Sequence, residues 1–187
     1  DAGFSVMGAD LLYQGEFLKD GTQLTEVRKV ANPREFAGYT YGYNHTLFAQ
    51  RVHDVLNLIA HTQEEEHQVK KTHLVATGGA GPYVAAARAV VGKNVARAVI
   101  DTQGFRFQQL KSFRNESFLP GAVKYGDLPA LLALAAPNPL YLVGEKGKVP
   151  EVVAKTYAAA GKPDQVQSQA AAKALQGGLQ WITNAAR

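Results

Sequence analysis

The stretch "HLVATGGAGPYVAAARAV" (His73–Val90) constrains the fold more than any other part of the chain. An apolar run suited to a short strand enters a knot of glycines, and an alanine-rich helical run leaves it. A turn this sharp from strand to helix needs backbone at positive φ or a close approach of helix to strand, and glycine permits both. The same alternation continues on either side. "LFAQRVHDVLNLIAH" lies within a helix over 45–62, with Phe48, Val52, Val55 and Ile59 at helical spacing. Strands are predicted at Thr72–Thr77, Val95–Asp101 and Pro139–Glu145, with a short last one at Asp164–Gln167. Helices are predicted at Gly81–Val91, ended by Gly92, at Asp127–Ala135, capped by Asp127, at Pro150–Ala160 and at Gln169–Ala185. Strand–helix alternation builds a parallel sheet with helices on both faces, a three-layer α/β/α arrangement joined by right-handed crossovers.

One further strand is predicted near the start, at Gly3–Tyr13 ("GFSVMGADLLY"). Two long loops, 14–44 and 102–126, separate elements, and long loops in compact domains tend to carry function. Glu16 and Arg34 are placed to pair across the first. In the second, "FRFQQLKSFR" (Phe105–Arg114) interleaves aromatics with bases. Single-strand nucleic-acid binders do this, but so does a loop whose aromatics pack inward, which is the reading adopted. The chain of 187 residues is read as one domain over 1–187, since no linker divides it.

Composition narrows the chemistry. There is no cysteine, which removes disulfides, thiolate nucleophiles and thiolate-ligated zinc. The net charge is +4, but the basic residues are scattered, so no nucleic-acid partner is expected. No run approaches the roughly 18 apolar residues of a membrane span, so no membrane partner is expected either. His45, His53 and His61 step by eight, about 80° apart around a helix, and do not converge on a metal. His45, which ends an aromatic loop at a helix start, is a candidate pocket residue. No cofactor is called for by these patterns.

The glycine knot admits two readings. Ala76-x-Gly78-x-x-Gly81 fits a dinucleotide fingerprint, and Asp101 ends the next strand where a ribose-binding acid would stand. Ala76 in place of the first glycine and Pro82 in the first turn fit this less well. The second reading is a nucleophile elbow. On that pattern Ala76 is the small position, and Gly78, which has no reactive atom, occupies the nucleophile position. Gly79 follows, and Ala80 and Gly81 are the small residues beyond.

The segments "GADLLYQGEF", "LFAQRVHDVLNLIAH", "HLVATGGAGP", "ARAVID" and "PLYLVGE" resemble, in order and spacing, the later part of an α/β-hydrolase domain. The resemblance is nearest to the acetyl xylan esterase and dienelactone hydrolase-like branch. It implies a serine–acid–histidine triad in that chain order. The acid is expected after the strand matched by "PLYLVGE", so Glu145, which ends that segment, is the nearest candidate, while no histidine occurs after His73. The resemblance also implies earlier strands that this sequence does not show. The expectation is therefore a non-catalytic module binding a ligand or partner through the old cleft, with Gly78, Gly79, Asp101 and His45 as candidate ligand-binding residues. An active ester hydrolase completed by another chain, and the dinucleotide-binding module, are the alternatives. An unguarded apolar strand at Gly3–Tyr13 would pair with a second copy, or with a chain carrying the missing strands, unless loop 14–44 covers it. Trp181 and Leu179 are expected to pack on the sheet.

Overall fold

The structure, a computed structural model, describes residues 3–28, 31–32, 36–64, 69–170 and 173–184. Four parallel strands form one sheet in sequence order: β1 (His73–Ala76), β2 (Arg97–Asp101), β3 (Leu140–Val143) and β4 (Val166–Ser168). His73 pairs with Arg97, Ala98 with Leu140, and Leu140 with Val166. The helices are α1 (Ala37–Tyr41), α2 (Leu47–Thr62), α3 (Gly81–Val91), α4 (Asp127–Ala133), α5 (Glu151–Ala159) and α6 (Ala174–Thr183). The three-layer α/β reading holds.

Alternation along each strand decides which side chain faces which layer. Ala98 and Ile100 of β2 and Leu140 and Leu142 of β3 point into the main core with α2, α3, α4 and α5. These helices pack side by side in chain order. The opposite face carries Val99 and Tyr141, covered by α6 through Ile182. Trp181 stacks on Tyr141 at 5.7 Å and under the Arg97 guanidinium at 4.5 Å, as expected of a sheet-packed residue. Leu179 does not pack: it turns outward and is largely exposed. Among the described residues no helix is long and apolar enough to cross a membrane.

Residues 3–13 form no strand, a correction to the sequence reading. Phe4 touches His73 at 5.8 Å, but Val6 and Met7 face solvent, with Val6 93% exposed. An apolar composition reports fitness for a pleated surface; without a ladder partner it makes no strand. Burial holds the His73 imidazole below its ordinary pKa, with Arg97 and Lys71 pushing the same way. β1 is therefore an edge strand, and no described segment pairs along its outer side. The described residues of loop 14–44 make no ladder with that edge. The loop bridges instead to loop 102–126, through an antiparallel pair at Glu26 and Asn115. Arg34 and the pairing expected with Glu16 lie outside the described residues, as does His67.

Asp127 differs from its expected role as well. Gly126 is the N-cap of α4, and Asp127 sits in the first turn. Its carboxylate accepts from the backbone N–H groups of Leu128, Phe107 and Gln108, so it ties loop 102–126 to the helix.

Candidate functional site

Ligands of open parallel sheets bind outside the carboxyl ends of the strands, and a cleft of about 150 Å³ lies there. Its floor is the β1–α3 turn, with Gly78 and Gly79, and the β2 end, with Thr102 and Gln103. Its walls are Tyr83 and Phe105 and, from the two long loops, Gln14, Gln23, Glu116 and Ser117.

The turn is built as the glycines require. Gly78 has φ 59, and a Cβ placed on it would meet nothing within 4 Å. Its strain is thus purely of the backbone. A β-branched residue at positive φ is a conformational outlier, so Gly78→Val is expected to destabilise by about 1–3 kcal/mol in chemical denaturation. An unchanged midpoint would show that the turn can relax away from this geometry. Gly81 serves the other need: helix α3 passes directly against the β2 end, where a Cβ would lie 2.0 Å from the Asp101 carbonyl oxygen.

One wall is organised by a residue the sequence analysis did not single out. Arg51 of α2 is fully buried. Its Nη1 donates to Glu116 Oε2 at 2.6 Å and to the Tyr83 hydroxyl at 2.8 Å, and its Nε donates to the Leu12 carbonyl at 2.9 Å. Its Nη2 donates to the Tyr13 carbonyl at 3.3 Å, and the Tyr83 hydroxyl in turn contacts Ser117 Oγ at 3.1 Å. Asp54 holds the same N-terminal segment by accepting from Leu12 N–H at 2.9 Å. The signal was present in the sequence: Arg51 falls between Phe48 and Val55 on the buried stripe of α2, where a charge needs partners.

Glu145 follows β3, close to the cleft but not among its lining residues. Its carboxylate is engaged on both oxygens. Arg106 donates to Oε1 at 3.0 Å and to Oε2 at 2.6 Å, and Thr102 Oγ1 donates to Oε1 at 2.6 Å. The pair is largely enclosed, with the Glu145 side chain 6% exposed. The hydrogen bond to Glu145 raises the Arg106 guanidinium above its ordinary pKa, so Arg106 stays charged. This bidentate pair closes the β3 end instead of presenting a free base.

Of the other candidates, Gly79 lines the cleft beside Gly78, whereas Asp101 and His45 do not. Asp101 Oδ1 accepts from Gln103 N–H at 3.0 Å and stabilises its own turn. His45 is exposed just before Thr46, the N-cap of α2, and its carbonyl accepts from Gln50. Of the fingerprint positions Gly81 lies against the Asp101 carbonyl and Ala76 pairs with Ile100 beside it, but the Asp101 carboxylate is turned to the backbone. Among the described residues no three metal-ligating side chains gather.

Fold and site together define an α/β domain with a polar cleft at the carboxyl ends of its first two strands. No protein-family model, curated protein or solved structure matches the chain.

Proposed function

We propose that the chain is a non-catalytic, α/β-hydrolase-like module that binds a small ligand or partner in the cleft over Gly78 and Gly79. The observation that carries this reading is the state of the groups an ester hydrolase would use. The nucleophile position is Gly78, with no side chain, and the candidate acid Glu145 is fastened to Arg106 and Thr102. Acyl transfer needs a nucleophile and a base within hydrogen-bond reach, and among the described residues no histidine lines the cleft. A fluorophosphonate probe is expected to leave the protein unlabelled, and p-nitrophenyl acetate should be hydrolysed no faster than in buffer. Stoichiometric labelling of any serine, Ser117 in the cleft included, would overturn the reading in favour of an active ester hydrolase.

A specific observation also favours self-association as the partner mode. Val75 is 44% exposed on the β1 face that α6 leaves bare, and Phe4 lies against His73 at the same strand. An exposed apolar edge strand pairs readily with an identical copy, with Lys70 and Lys71 standing just before it. Light scattering at micromolar concentration is expected to give twice the 20.1 kDa chain mass. A concentration-independent monomer mass would show that the edge is inert.

A further inference from the structure

Loop 102–126 builds a second concavity, of about 400 Å³, which shares no lining residue with the cleft described above. Its volume falls within the roughly 300–1,000 Å³ usual for small-molecule sites. The lining is mainly apolar: Phe107, Leu110, Phe113, Phe118, Leu119 and Val123. The groove is also held in shape. Phe107 is buried against Phe48 and Phe105, at 5.3 and 5.1 Å between ring centroids. Its amide and that of Gln108 are fixed by Asp127. The Tyr41 hydroxyl donates to the Phe113 carbonyl at 2.9 Å, while its ring lies 5.5 Å from that of Phe118.

The polar residues of the lining are Gln108, Lys111 and Ser112. Lys111 is the one charged residue among them, and it makes no ion pair among the described residues. Ser112 Oγ accepts from Arg114 N–H, which leaves its hydroxyl proton free to donate. Among the described residues no carboxylate lines the groove, and the nearby Asp127 is spent on backbone amides. An apolar trough with an ammonium and a hydroxyl at its rim complements a ligand with a hydrocarbon body and one negative head.

We propose that this groove binds a small amphipathic carboxylate, with the chain seated on Phe107, Phe113 and Leu119 and the head at Lys111 and Ser112. The proposal is independent of the reading given to the Gly78 cleft. It is tested with decanoate added to the full chain below its micelle concentration, followed by amide chemical shifts. The expected result is saturable binding, with the shifts centred on Leu110 to Leu119. Lys111 is exposed, so Lys111→Met leaves the fold intact. It should weaken decanoate about five- to ten-fold while leaving decanol unaffected. Val123→Trp, which fills the trough from an exposed position, should abolish binding of both. Absence of saturable binding, shifts centred on Gly78 and Gly79, or equal decanoate affinity in Lys111→Met would each overturn it.

Discussion

Replacing Arg51 by methionine is expected to destabilise the protein by about 3–5 kcal/mol, because it removes one partner of a buried ion pair and leaves the rest in place. Methionine fills much of the volume, so the loss is not chiefly a cavity. What remains is the Glu116 carboxylate, 19% exposed, without its cation, together with the Leu12 and Tyr13 carbonyls and the Tyr83 hydroxyl without their donor. Arg51→Lys should recover only part of the loss, since one ammonium cannot span partners that the guanidinium reaches through three nitrogens. Urea denaturation of the three proteins decides the matter. An Arg51→Met variant within about 1 kcal/mol of wild type would mean that the pair behaves like a surface one.

The second large effect belongs to Gly81. A single methyl there collides with backbone, the Asp101 carbonyl oxygen at 2.0 Å and its carbon at 2.8 Å, so no side-chain rotation relieves it. Either α3 must lift from the sheet or β2 must shift, and both disturb a close-packed core. Gly81→Ala is expected to cost about 3 kcal/mol. Gly78→Ala, three residues earlier but facing open space, should cost only about 1–2 kcal/mol from positive φ. If thermal or urea unfolding ranks the two the other way, the knot serves the turn and not the helix–strand contact.

The contrast between these glycines shows how much was legible in the sequence. The knot announced a turn and a close approach, and both are present, but only the structure assigns each demand to its residue. The sheet and its crossover helices were legible because every strand is short, apolar and flanked by a helical run. The N-terminal segment was misread for a physical reason: its residues suit a ladder, but pairing depends on a neighbour, which one stretch of sequence does not display. The cleft was half legible. Gly78 and Gly79 follow from the strand-to-helix turn alone. Glu116, Ser117, Gln14 and Gln23 come from the two long loops, whose paths no periodicity encodes. Glu145 was read as the end of its strand, which stops at Val143, and its commitment to Arg106 depends on a loop residue thirty-nine positions earlier.

The strand order has a consequence for how the chain reaches this state. Each strand is hydrogen-bonded only to its immediate predecessor and successor in sequence. No ladder waits for a partner delivered from the far end of the polypeptide, so each pairing closes a single crossover, and closure entropy rises only slowly with loop length. Parallel sheets are slow to form when their contacts are distant in sequence; this strand order is one that strand-by-strand accretion can build. In that order β1 and β2, with α3 between them, can serve as a template for β3, and β3 in turn as one for β4.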